Sequence, residues 1–458
     1  MEINFPTISM PKKNFNLSLE NKIDSFKKTI SVDSDKSISI RSFLISAISR
    51  DISEVKNTLE SEDVIDTIKS LKKLGVKIKK KAKKNYLIYG NGLGSLQIKK
   101  NSSLYLGNSG TLARLLIGIL STTPNIEVNL KGDHSLNKRN MKKLISLMEK
   151  FGATFKPKKK FFFPIKLISS PLPVGINYEA GVSAQLKSAV ILAGLNSYGT
   201  TKIIENQKSR DHTEKMLVNN SNSIMIKTLK SHKEIKVFGK KEMKKILINV
   251  PGDPSSAAFF TALTLVNKNS YLKIKNICLN PTRIGFYELL KKHGAKIKFV
   301  NKRNYKNELI GDIEVKSCNL RPIKAGKNYY VNSTDEYPIL FIIASFLKGV
   351  SIFKGIRDLA NKESNRIIEM QKILKQVGVK SLLFKDGIKI FGKGKIDTKN
   401  KKIHVPKLGD HRICMSAFIL AAVTGIKTVI KNFDTVFTSS PSFLNIMKQF
   451  KVKFEIQN

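Results

Sequence analysis

At 458 residues, with 41% hydrophobic content and only 14 prolines, the chain exceeds what one core usually organises and points to two folded domains. It has no apolar run of the roughly 18 residues that cross a bilayer, and residues 1–30 lack the apolar core of a secretory signal, so a cytoplasmic protein without a membrane partner is expected. Three scattered cysteines, Cys278, Cys318 and Cys414, suggest neither a disulfide framework nor a zinc site.

A formal charge of +47 raises one alternative, a basic nucleic-acid-binding protein, since lysine and arginine on one face release counterions from a phosphate backbone. The 82 basic residues are 71 Lys and 11 Arg, however, and base and phosphate recognition lean on arginine's planar fork. The lysines lie in dispersed runs such as KIKKKAKK (77–84) and KPKKK (156–160), with no helix-turn-helix, zinc-finger or RNP-like pattern beside them. A lysine-rich bias on solvated faces accounts for the charge, no nucleic-acid partner is expected, and an anionic small-molecule substrate is compatible with it.

In chain order, one pattern recurs six times: a polar turn followed by a small, apolar segment. It reads SDKSISIRSFLISAI from Ser34, GNSGTLARLLIGIL from Gly107, GVSAQLKSAVILAGL from Gly181, GDPSSAAFFTALTL from Gly252, STDEYPILFIIASF from Ser333 and GDHRICMSAFILAAV from Gly409. The spacing, about 70–85 residues, predicts six mixed α/β repeats, three per half, with the midpoint near Val250. Each apolar segment is too greasy for a surface helix and too short for a membrane span, which predicts helices buried on most sides. A second element follows in most repeats, an amphipathic helix, a glycine or its equivalent, then an alternating strand. Examples are SLKKLGVKI (70–78), SLMEKFGATF (146–155), ELLKKHGAKIKF (288–299), ILKQVGVK (373–380) and IMKQFKVKFEI (446–456). The third repeat shows it least clearly.

The turns that open the apolar helices gather the chemistry. Free N–H groups and the helix dipole favour anions there. In a chain so poor in arginine, six of the eleven fall in or near these turns: Arg41, Arg114, Arg139, Arg210, Arg366 and Arg412. Bidentate recognition of phosphate or carboxylate is the physical reason to require the guanidinium fork. The acidic candidates are Asp253, Asp335, Glu336, Glu363 and Asp410, set against the ordinary role of a turn carboxylate as an N-cap. His212, His411 and the other histidines form no ligand cluster, so no metal is expected.

Nine motifs in order, DKSISIR (35–41), LGNSGTLARLL (106–116), GDHSLNKR (132–139), SAQLKSAVILAGL (183–195), SRDHTEKML (209–217), PGDPSSAAFF (251–260), DEYP (335–338), KESNR (362–366) and DHRICM (410–415), resemble those of the EPSP synthase (3-phosphoshikimate 1-carboxyvinyltransferase) family, in its class II form. The resemblance implies a two-domain inside-out α/β barrel. One domain would span 35–250 and the other 1–34 plus 251–458, with the active site in the cleft between them. It implies transfer of the enolpyruvyl group of phosphoenolpyruvate to the 5-hydroxyl of shikimate 3-phosphate by addition and elimination, with no cofactor and a monomer as the family default.

Carried over by motif, Lys36, Ser37, Arg41, Ser183, Ala184, Gln185 and Arg210 would hold shikimate 3-phosphate, with Asp335 and Lys362 on its hydroxyls. Lys36, Gly110, Arg139, Gln185, Arg366 and Arg412 would clamp phosphoenolpyruvate. Asp335 would take the hydroxyl proton, and Glu363, partnered by Lys36, would protonate the methylene carbon. Departures from the family pattern are Asp33-Ser34 in place of Pro-Gly, Leu115, Asn140, Asn365, and Thr438 where some members carry lysine. The sister family, which transfers enolpyruvyl to UDP-N-acetylglucosamine, usually carries a reactive cysteine in its first domain, and residues 1–277 here contain none.

Overall fold

The computed structural model describes residues 14–457. The chain forms two compact units: a first, Ser34–Pro251 with Asn304–Glu308, and a second, made of the segment up to Asp33, Gly252–Arg303 and Leu309–Asn458. Backbone hydrogen bonds tie the ends of each where the chain passes across. In the first, Asp35 N–H donates to Pro251 O at 2.8 Å; in the second, Asp253 N–H donates to Asp33 O at 2.8 Å.

Each unit is three copies of one four-stranded mixed sheet. In spatial order, the first unit holds the sheets Leu247–Asn249, Ile52–Lys56, Asn85–Tyr89, Lys77–Ala82; Ser102–Tyr105, Glu127–Lys131, Ile165–Ile168, Thr154–Lys156; and Asn177–Ala180, Thr200–Glu205, Lys233–Phe238, Ile224–Thr228. The second unit repeats the plan with Lys27–Ile30, Tyr271–Cys278, Glu308–Lys316, Lys296–Tyr305; Lys324–Ala325, Lys348–Lys354, Gly387–Lys393, Lys380–Phe384; and Lys402–Val405, Lys427–Ile430, Asn16–Leu19, Glu455–Gln457. In all six the first two strands pair parallel and the second and third antiparallel. Two of the second unit's sheets therefore need strands from the start of the chain, a stretch whose sequence carried no assignable motif.

The six apolar segments are helices: Lys36–Ala47, Gly110–Thr122, Ala184–Leu195, Pro254–Val266, Tyr337–Ser345 and His411–Thr424. They are buried on nearly every side, as their all-round apolarity requires; from Pro254 to Leu265 no residue reaches solvent appreciably. The amphipathic helices behave differently, turning one face inward and leaving lysines outside, as in Glu62–Lys73 and Gly285–Lys292. Gly75 and Gly294 follow these two at φ +86° and +99°, the left-handed caps expected from the sequence. In the third repeat, helix His212–Asn220 ends instead at Ser221 in extended conformation, which is why that repeat was faint in the sequence. Among the described residues no helix is long and apolar enough to cross a membrane.

Candidate active site

Because each apolar helix is sealed along its length, its first turn is where it presents polar groups. In the first unit Asp35 caps Lys36–Ala47, accepting from Ile38 N at 2.8 Å. Lys36 sits at the helix start with Nζ 2.9 Å from Asp63. One turn on, Arg41 is buried. Its Nε donates to Thr213 Oγ1 at 2.8 Å, one Nη to Ser188 Oγ at 3.2 Å and the other to Ser37 O at 3.1 Å, while Thr213 donates to Ser188 at 2.8 Å. Bonds to hydroxyl and carbonyl oxygens orient the guanidinium fork.

The next helix start, capped by Ser109 on Leu112 N, gathers two more arginines. Gly110 lies so close that a Cβ there would come 2.7 Å from a terminal nitrogen of both Arg114 and Arg139. Arg114 donates to Gln185 Oε1 at 2.9 Å, Gln185 donates to Thr111 at 3.0 Å, and Arg139 donates to Asn108 Oδ1 at 2.8 Å. Gln185 also belongs to the third helix start, where Ser183 caps Leu186 N and Ser183, Ala184 and Gln185 are all partly exposed. Thus the first unit brings Gly110, Arg114, Arg139 and Gln185 into one group. Arg210 stands partly exposed on the loop before His212–Asn220. His212 is buried, with Nδ1 2.6 Å from Glu308.

In the second unit a fully buried guanidinium organises the acids. Arg366 Nε lies 2.9 Å from Asp410 Oδ2, one Nη 2.5 Å from Glu363 Oε2, and the other 3.6 Å from Asp335 Oδ1. Burial opposes the charge of Arg366, but Asp410, Glu363 and Asp335 outweigh it and raise its pKa further. Neither Asp335 nor Glu363 is an N-cap: Glu336 holds that position for Tyr337–Ser345, and Asn365 caps Arg366–Gln376, accepting from Ile368 N at 3.3 Å. The side chains of Asp335 and Glu363 are 26% and 20% exposed, so each carboxylate touches both a buried cation and solvent. Asp410 is buried and caps Arg412 N at 2.9 Å. The Arg412 guanidinium is 5.8 Å from the Phe259 ring, and its Nε makes no hydrogen bond among the described residues.

Lys362 is held by Asp358 at 2.8 Å, and Tyr330 O–H donates to the same carboxylate at 2.9 Å. Burial pushes the Asp358 carboxyl up, but the charge of Lys362 and hydrogen bonds from Lys362, Tyr330 and Asn361 outweigh it and leave the group below the usual carboxylate range. Glu336 is buried, and Asp253 caps Pro254–Val266 while pairing with Arg283 at 3.0 Å.

The departures find local duties. Asp33 accepts from Ser440 O–H and Ser442 N–H at 3.1 and 2.9 Å. Asn140 accepts from Lys142 N, Leu115 is core, and Thr438 O–H turns back to Thr435 O. Sequence reasoning missed Ser188, Thr213 and Asn108, which hold the arginines, Asp358, which holds Lys362, and Tyr330, which bonds to Asp358. The first three lay inside quoted motifs, but nothing in their spacing says that they face a guanidinium.

The family model for EPSP synthase (3-phosphoshikimate 1-carboxyvinyltransferase) matches residues 21–447. The chain belongs to the EPSP synthase family. It is 38% identical over 431 residues to the 3-phosphoshikimate 1-carboxyvinyltransferase of Caldicellulosiruptor bescii, covering 93% of this chain and 98% of the relative. To that of Zymomonas mobilis it is 36% identical over 430 residues, covering 93% and 94%. The structure of EPSP synthase from Acinetobacter baumannii superposes with a TM-score of 0.83 at 33% identity, over 97% of this chain and 100% of that one. The expected fold, six mixed units from the repeats in the EPSP synthase arrangement that the resemblance implies, is thereby met. A likeness to the enolpyruvyl transferase NikO of Streptomyces tendae, TM-score 0.74 at 12% identity, concerns the fold alone.

Proposed function

We propose that this member of the EPSP synthase family transfers the enolpyruvyl group of phosphoenolpyruvate to the 5-hydroxyl of shikimate 3-phosphate, releasing phosphate, as a step of chorismate and aromatic amino-acid synthesis. The observation that carries the reading is the gathering of Asp335, Glu363 and Asp410 on the buried guanidinium of Arg366.

In the addition step the 5-hydroxyl oxygen bonds to C2 of phosphoenolpyruvate while C3 gains a proton, giving a tetrahedral adduct. Asp335 takes the hydroxyl proton, and Glu363, partnered by Lys36, delivers one to C3. Elimination then breaks the C2–O bond to phosphate and removes a proton from C3. Positioned acids and bases of this kind contribute about 100- to 10,000-fold each. Ser37, Arg41, Ser183, Ala184, Gln185 and Arg210 hold shikimate 3-phosphate with Lys36, and Lys362 and Asp335 engage its hydroxyls. Gly110, Arg139, Gln185, Arg366 and Arg412 hold phosphoenolpyruvate with Lys36, favouring charge as it develops in the adduct. We take the domains to be 35–250 and 1–34 plus 251–458. We read the enzyme as a cytoplasmic monomer.

The test is product analysis by proton and phosphorus NMR with purified protein. A new enol ether on shikimate 3-phosphate, formed only when both substrates are present, supports the reading. Product on UDP-N-acetylglucosamine instead, or none on either acceptor, overturns it.

A further inference from the structure

A buried ion triad in the first unit lies behind the residues that would hold shikimate 3-phosphate. The Lys187 side chain is 0% exposed, with Nζ 2.5 Å from Glu205 Oε1 and 2.7 Å from Glu214 Oε1, both carboxylates buried as well. Burial disfavours the lysine's charge, but Glu214 and Glu205 outweigh it, so it remains an ammonium. Glu205 Oε1 also accepts from Ser209 N–H at 3.0 Å and Ser209 O–H at 2.8 Å.

The three members sit on three different elements. Lys187 is on helix Ala184–Leu195, Glu205 ends strand Thr200–Glu205, and Glu214 is in the first turn of helix His212–Asn220. Each element delivers something to the site. The first helix starts with Ser183, Ala184 and Gln185 and carries Ser188 next to Lys187. The loop from Glu205 to Asp211, pinned through Ser209, carries Arg210. The last helix carries Thr213 next to Glu214, and Thr213 and Ser188 together hold Arg41. One ammonium therefore sets the register of three elements that converge on the phosphate-binding arginines.

We propose that Lys187, acting through Glu205 and Glu214, is the positioning residue of the shikimate 3-phosphate site: it fixes Arg41 and Arg210 in place without touching substrate. This rests on the function proposed above. A buried ion triad is a costly way to gain stability, since well-packed neutral replacements often fold as well, whereas removing one partner strands a charge. Its use lies in geometry, because hydrogen-bonded charges tolerate little variation in distance and direction.

The experiment compares wild type with Glu205→Gln and with the triple variant Lys187→Met, Glu205→Gln, Glu214→Gln, in which no charge is stranded. Steady-state kinetics are measured against each substrate, with thermal unfolding alongside. The wild type must first turn over both substrates; if it does not, the functional reading fails before this one is reached. In an active background the triple variant is expected to unfold cooperatively near the wild-type temperature, with KM for shikimate 3-phosphate raised at least roughly 10-fold, the worth of one charged hydrogen bond, and KM for phosphoenolpyruvate, which shares only Gln185 with the three elements, raised several-fold less. Glu205→Gln is expected to shift the same KM in the same direction. A folded triple variant whose KM for shikimate 3-phosphate is unchanged, or one that loses both substrates equally, overturns the proposal. Should the triple variant not fold, Glu205→Gln decides on the same two criteria.

Discussion

The candidate-site arginines of the two compact units differ in the partners that their hydrogen bonds reach. In the first, Arg41 donates to Thr213, Ser188 and Ser37, Arg114 to Gln185 and Arg139 to Asn108, all uncharged partners. In the second, Arg366 is pressed against Asp410, Glu363 and Asp335. Hydroxyl, amide and carbonyl oxygens orient a guanidinium's fork, whereas three carboxylates on one guanidinium exceed its charge and compete for it. On the function proposed above, the first group would serve chiefly in holding substrate and the second in proton transfer.

The largest expected effect tests the proton-transfer side. Glu363→Gln keeps the shape and one hydrogen-bond acceptor for Arg366 but removes the acid, and kcat is expected to fall about 100- to 10,000-fold with both KM values within a few-fold. A loss confined to KM would break the contrast. On the holding side, Arg41→Lys gives up the fork that reaches Thr213 and Ser188 together. KM for shikimate 3-phosphate should rise about 10- to 100-fold, the cost of charge-assisted bonds, with kcat little changed. Gly110→Ala sharpens the division within the first unit, because the added methyl meets Arg114 and Arg139 at 2.7 Å. Displacing two side-chain ends costs about 1–2 kcal/mol, so KM for phosphoenolpyruvate should rise roughly 10-fold, with a smaller rise for shikimate 3-phosphate passed on through Gln185.

The smallest effect concerns a first-unit carboxylate that faces histidine and lysine. Burial pushes Glu308 up, but the charges of His212 and Lys215 outweigh it and hold it below its ordinary value of 4.5. A depressed folded pKa gives stability that is present above the unfolded value and lost as pH falls through the folded one. Glu308→Gln should therefore lower Tm at pH 6 by about 2–4 °C and flatten its decline below pH 4.5, as followed by circular dichroism. An unchanged acid limb would remove Glu308 from the account.

How much of this was legible beforehand depends on range. Local chemistry was in part: Asp253 and Asp410 cap the helices that follow them, the ordinary role of a turn carboxylate, and Gly75 and Gly294 end helices where the pattern required, whereas the caps Asp35, Ser109 and Ser183 were not singled out. The strands at Asn16–Leu19 and Lys27–Ile30 were not, because a four-residue strand has too few side chains to set a period and its partners lie hundreds of residues away. The same limit hid the partners of the site. Arg41 meets Thr213 across 172 positions and Arg366 meets Asp410 across 44. Motifs named the arginines; only the fold says which hold neutral oxygens and which hold acids.

The division of labour is tested most directly by binding and turnover of the Glu363→Ala variant measured side by side. Calorimetric titration with shikimate 3-phosphate reports the holding function, and phosphate release with both substrates reports the chemistry. The account predicts a Kd within a few-fold of wild type together with a phosphate-release rate at least about 100-fold lower. A variant that turns over at the wild-type rate, or one whose turnover loss is matched by an equal loss of binding, would contradict it.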